Sequence, residues 1–173
     1  MSTESLSAHL VRLEIFQDLS PLQLTEIARR AEKIVYKAGQ LLVADGEPAD
    51  AAVLLISGEA IRTKGHLTSV PQEAVEPGSL LGEMAMLIET DYSSTVVAVG
   101  SVRALRIPRQ AMLEMLLADP GLAEHFVAKI NRRLSRIANE LRAIDTTMGR
   151  ALDTINAPAA ARLAGPETAM AAH

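Results

Sequence analysis

The chain has 173 residues, 49% of them apolar and 22% charged, with a net charge of −4. That is enough for one folded domain with an appendage, and it excludes wholesale disorder. Cysteine is absent and aromatics are 2% (Phe16, Tyr36, Tyr92 and Phe126), which removes disulfides, thiolate metal sites, cysteine nucleophiles and the stacking platforms that single-stranded nucleic acids need. No apolar run reaches the roughly 18 residues of a membrane span, and the first twenty residues carry Glu4, Glu14 and Asp18 in place of an apolar signal region. The expectation is a cytoplasmic chain with no membrane or nucleic-acid partner.

In chain order, Leu6, Leu10, Leu13 and Phe16 recur at helical steps. Ser20-Pro21 then restarts a helix that the apolar pattern carries to about Lys33, because serine caps and proline suits the first helical position. From Ile34 the period changes. Ile34-Val35-Tyr36, Leu41-Leu42-Val43, Ala51 to Ile56 and Ala60-Ile61-Arg62 read as strands, as do Thr95 to Val99 and Val102 to Ile107. Gly39, Gly46, Gly58, Lys64-Gly65, Pro77-Gly78 and Gly100 break them. Short strands with no helix-length spacer between them predict an antiparallel roll or sandwich.

The last third returns to helix. Arg109 to Ala118 forms one, and Asp119-Pro120 opens another that can run to about Asn156, some 55 Å at about 1.5 Å per residue. Ile130, Leu134, Ile137, Leu141, Ile144, Met148, Ala151 and Ile155 alternate steps of four and three, a heptad seam that predicts pairing with a second copy. The organisation is thus α+β: N-terminal helices over 1–33, an antiparallel β-roll over 34–108, C-terminal helices over 109–156 and a disordered tail over 157–173. The 17 residues after Asn156 predict no helix-turn-helix.

The stretch richest in chemistry is Pro77-Gly78-Ser79-Leu80-Leu81-Gly82-Glu83-Met84-Ala85-Met86-Leu87. Glycine before a short helix lets backbone approach a ligand, and amides at that helix start favour an anion. Ser93, Ser94 and Thr95 follow with hydroxyls in reach. Read alone, the stretch is better taken as a structural turn.

The order of parts resembles the cyclic-nucleotide-binding domain, a family that includes the catabolite activator protein and the regulatory subunits of protein kinase A. The resemblance covers about residues 13–145. Phe16-Gln17-Asp18-Leu19-Ser20-Pro21 looks like the family's entry motif, Gly39, Gly46, Gly58 and Gly78 fall at its turns, and residues 81–87 look like its phosphate-binding cassette, within a segment 78–95. The resemblance implies that Glu83 takes the ribose 2′-hydroxyl, that the Met84 and Ala85 amides face a cyclic phosphate, and that Gly82, Ser93, Ser94 and Thr95 line the site. It also implies an arginine nine residues after the glutamate, with a proline before it. Here those places hold Tyr92 and Asp91, while Thr95 matches. Ile137 and Ala138 stand where the catabolite activator protein caps adenine with hydroxyls.

A buried phosphodiester without its guanidinium loses a bidentate pair. The expectation is therefore a regulatory, non-enzymatic module, dimeric through Ile130, Leu134, Ile137, Leu141, Ile144 and Met148, with cAMP and cGMP bound weakly or not at all. It would act through an unidentified protein partner, and the alternative is a sensor that holds a cyclic nucleotide or other anion by non-standard contacts. Whether the pocket is open or filled by Tyr92 stays undecided at the level of sequence. His9, His66, His125 and His173 are scattered, so no metal site is expected. Lys129, Arg132, Arg133 and Arg136 read as a solvated helix face.

Overall fold

A computed structural model describes residues 3–63 and 73–156. It divides into a unit ending at Val127 and a second beginning at Ala128. In the first, α1 (Thr3–Leu10) is followed by a 3-10 turn, Glu14–Phe16, and then α2 (Pro21–Arg30). The apolar run from Leu6 to Phe16 is therefore two short elements. Ser20 caps α2 through a reciprocal box, its hydroxyl accepting from the Gln23 amide while its own amide donates to Gln23 Oε1. The helix stops at Arg30, earlier than the apolar pattern predicts, because Glu32 and Lys33 are taken into β1 (Glu32–Tyr36) opposite Arg106 and Leu105.

The strands that follow are β2 (Leu41–Val43), β3 (Pro48–Ala49), β4 (Ala51–Ser57), β5 (Ala60–Thr63), β6 (Glu73–Val75), β7 (Leu80–Leu81), β8 (Thr90–Asp91), β9 (Thr95–Ala98) and β10 (Val102–Pro108). All described pairings are antiparallel. One sheet has the order β1-β10-β4-β7, a second β2-β9-β5-β6, and β3 and β8 form a two-stranded ribbon. The break expected at Lys64-Gly65 and the tail over 157–173 lie outside the described residues.

The roll interior is an apolar cluster that includes Leu42, Val43, Val53, Leu55, Leu81, Val96, Val102 and Ala104, with Tyr36 and Tyr92 packed against it. On β4 and β10, Leu54, Leu105 and Ile107 point the other way and are also buried. That explains why β4 is apolar at every position from Ala51 to Ile56 instead of alternating: both of its faces are covered. α3 (Arg109–Ala118) packs on β10 and on the turn that follows β7. Phe126, near the start of α4 (Pro120–Asn156), meets Phe16 edge-to-face with ring centroids 6.0 Å apart. Asp119 caps α4 by accepting from the Leu122 amide at 3.1 Å, and its second oxygen accepts from Gln23 Nε2 at 2.8 Å.

The second unit, as far as it is described, is the remainder of α4. Leu134, Ile137, Leu141, Ile144 and Met148 are exposed by 42% to 63%, and Ile130 is half-buried. Among the described residues no helix is long and apolar enough to cross a membrane.

Candidate ligand site at the cassette turn

Residues 78–95 form a connected piece of the roll. Gly78 donates its amide to the Leu55 carbonyl, β7 pairs with β4 through Leu81 opposite Val53, and the chain then turns at Gly82 into a 3-10 turn, Glu83–Met86. Gly82 sits in the left-handed region at φ 61° and ψ 41°. An added Cβ there would lie 2.6 Å from Tyr92 Cε1 and 3.4 Å from the Ala51 carbonyl oxygen. Both backbone conformation and space thus require glycine.

Tyr92 is the neighbour that makes Gly82 tight. Its backbone is fixed in both directions, the Gly46 amide donating to its carbonyl at 2.8 Å and its own amide donating to Glu47 at 3.0 Å. That pairing continues the β3–β8 ribbon, in which Asp91 is exposed opposite Pro48. The phenol donates to the Ala51 carbonyl at 2.9 Å. Tyr92 is half-buried, and burial, reinforced by Asp50, pushes its phenol above the ordinary value of 10.0. At the position where the resemblance puts an arginine, a neutral ring is packed against the cassette glycine.

The other sequence-predicted residues take distinct places. Glu83 and Met84 are half-buried at the start of the 3-10 turn. Ala85 is fully buried, and its amide donates to the Gly82 carbonyl at 2.9 Å, so it is occupied within the turn. Ser93 is exposed and Ser94 half-buried. Thr95 Oγ1 accepts from the Asp45 amide at 3.0 Å, which ties β9 to the loop before β3. His125 approaches the Ile15 carbonyl at 2.9 Å, and no metal-ligating cluster occurs among the described residues.

Two groups escaped the sequence reading. Arg106 on β10 bonds Glu32 at 2.8 Å and also bonds Asp50. Burial disfavours its cation, but the two carboxylates outweigh that and its pKa rises. Arg109, first residue of α3, donates from Nη1 to the Ala49 carbonyl at 2.9 Å and to the Ile88 carbonyl at 3.1 Å, fastening the far end of the cassette to β3. Neither residue belongs to a motif; each is recognisable only once strand pairing places it.

The cyclic nucleotide-binding domain description matches residues 33–119. The chain belongs to that family. It is 25% identical over 138 residues to the "CRP-like cAMP-activated global transcriptional regulator" of Mycobacterium tuberculosis, covering 76% of this chain and 60% of the relative. It is 30% identical over 109 residues to a cAMP-dependent protein kinase regulatory subunit of Aspergillus niger, covering 63% of this chain and 26% of the relative. An acetyltransferase of Mycolicibacterium smegmatis is 30% identical over 134 residues, covering 77% of this chain and 40% of the relative. The chain therefore spans only a quarter to three fifths of these relatives. Among solved structures, the sensor domain of the transcriptional regulator DNR from Pseudomonas aeruginosa superposes with a TM-score of 0.61 at 26% identity, covering 80% of this chain and 94% of that one. The N-terminal domain of a Streptomyces coelicolor transcriptional regulator shares the fold, with a TM-score of 0.68 at 20% identity and coverage of 77% and 94%. The expected β-roll with its long C-terminal helix is thus the fold shared with these structures, and the chain carries a cyclic nucleotide-binding domain.

Proposed function

We propose that this domain is a regulatory module whose cyclic-nucleotide site is weakened, and that it works as a homodimer through protein partners, without catalysis and without a bound nucleotide of its own. The observation that carries the reading is Tyr92: it replaces the expected arginine, and its ring lies against Gly82 with its hydroxyl committed to Ala51. Loss of one partner from a buried charge pair costs about 2–5 kcal/mol. From a starting point of a few micromolar, that places cAMP and cGMP at roughly 100 μM or weaker. The regulatory half of the reading is supported by relatives that are named as regulators. The dimer is supported by the exposed apolar stripe from Leu134 to Met148, which a second copy of α4 would cover about a two-fold axis.

The test is calorimetry with cAMP and with cGMP on the unmodified chain and on Tyr92→Arg. The expected result is no resolvable heat from the first and a gain of about tenfold or more in affinity from the second. Low-micromolar binding by the unmodified chain would refute the weakened site and point to a sensor using other contacts.

A further inference from the structure

The segment from Gly82 to Ile88 is fastened at both ends by side chains from outside it. At its start, the Tyr92 ring covers Gly82 so closely that a Cβ would fall 2.6 Å from Cε1, and the phenol is tied to the Ala51 carbonyl at 2.9 Å. At its end, Arg109 Nη1 binds the Ile88 carbonyl at 3.1 Å. Between these anchors Ala85, Met86 and Leu87 are buried, and the amides of Ala85, Leu87 and Ile88 all bond within the turn. Tyr92 itself has little freedom to leave, because both its amide and its carbonyl are bonded to the opposite segment at Glu47 and Gly46.

We propose that Tyr92 is a built-in occupant of the cassette: its ring and hydroxyl hold residues 82–88 in one ordered conformation independently of any ligand. A turn held by an external ligand is ordered only when the ligand is bound. A turn held by a side chain on an adjoining ribbon is ordered all the time, at an effective concentration no dissolved molecule matches. The cassette is then a fixed surface and not a switch. This rests on the preceding reading only in assigning the cassette to residues 78–95.

Hydrogen–deuterium exchange on the full chain tests it, with peptides covering 82–88 compared against β10 as an internal reference for global opening. Tyr92→Ala removes the occupant, and exchange of the 82–88 amides is expected to rise by about tenfold or more while β10 is unchanged. Millimolar p-cresol, which carries the ring and hydroxyl that were removed, should restore protection to that variant. Tyr92→Phe keeps the ring and loses only the Ala51 bond, so a smaller rise of about threefold, confined to the same amides, is expected. Unchanged cassette exchange in Tyr92→Ala overturns the proposal. If that variant fails to fold, unchanged exchange at 82–88 in Tyr92→Phe overturns it equally. Calorimetric binding of cAMP at low micromolar would refute the weakened site and leave the exchange comparison standing, so the two readings fail separately.

Discussion

Replacing Gly82 with alanine perturbs the cassette at one methyl group, and the cost can be assembled from the geometry. An L-residue held at φ 61° in the left-handed region loses about 1–2 kcal/mol. The new Cβ would stand 2.6 Å from Tyr92 Cε1, so the ring must move. Moving it gives up the 2.9 Å bond from the phenol to Ala51, about 1 kcal/mol, together with part of its packing on the roll interior. The sum is about 2–4 kcal/mol of folding stability. In a domain of this size that lowers Tm by roughly 5–15 °C. Urea unfolding followed by far-UV circular dichroism measures it directly. The same substitution in a Tyr92→Ala background should cost only the backbone part, so the two changes should show a coupling of about 1 kcal/mol or more. A Gly82→Ala variant within about 0.5 kcal/mol of the unmodified chain, or strict additivity with Tyr92→Ala, would refute the close packing of ring on glycine.

The seam on α4 is checked by Leu141→Asp, which would place two carboxylates near a shared axis; the variant should sediment as a monomer with its β-roll circular dichroism intact, whereas an unmodified chain that is already monomeric at tens of micromolar would remove the dimer. Asp119 has its pKa lowered below the ordinary 3.8, first by Gln23 and then by the Leu122 amide. Its stabilising contribution is therefore complete above that ordinary value and is lost as the pH falls through the lower folded one. Asp119→Asn should melt lower than the unmodified chain at neutral pH, with the gap closing in thermal melts taken below pH 3.8. Both phenols are raised above 10.0, chiefly by burial. They favour the folded state up to that ordinary value and cease to as the pH rises through their higher folded values, so absorbance titration of the folded chain should find both tyrosines ionising above 10.0.

Much of the fold could be read from residue order because local signals and tertiary structure agree. Ser20-Pro21 and Asp119-Pro120 announce helices that begin where they predict, and the strands Leu41–Val43 and Arg109–Ala118 helix keep their expected bounds. The misreadings occur where pairing overrides periodicity. Lys33 continues an apolar helical pattern, yet strand partners at Leu105 and Arg106 claim it and Glu32. The two-residue strands β3, β7 and β8 are too short to carry a period and exist only through their partners. At the site, the departure at Tyr92 was visible from spacing, since one residue type stands where another is needed. That the ring would fold back onto Gly82 was not, because it depends on the β3–β8 ribbon. Arg109 and Arg106 were unreadable for the same reason: their partners, Ala49, Ile88, Glu32 and Asp50, lie between 21 and 74 residues away, and only the fold brings them together.

The strand β4 is the party wall of this domain. Val53 and Leu55 look into the roll, while Leu54 is sealed on the other side, and Val53 also pairs with Leu81, the residue before the Gly82 turn. A displacement at the cassette must therefore press on a partition that two rooms share. Variation in this domain should accordingly be tolerated in the loops and resisted along Ala51 to Ile56, whatever the module is asked to recognise.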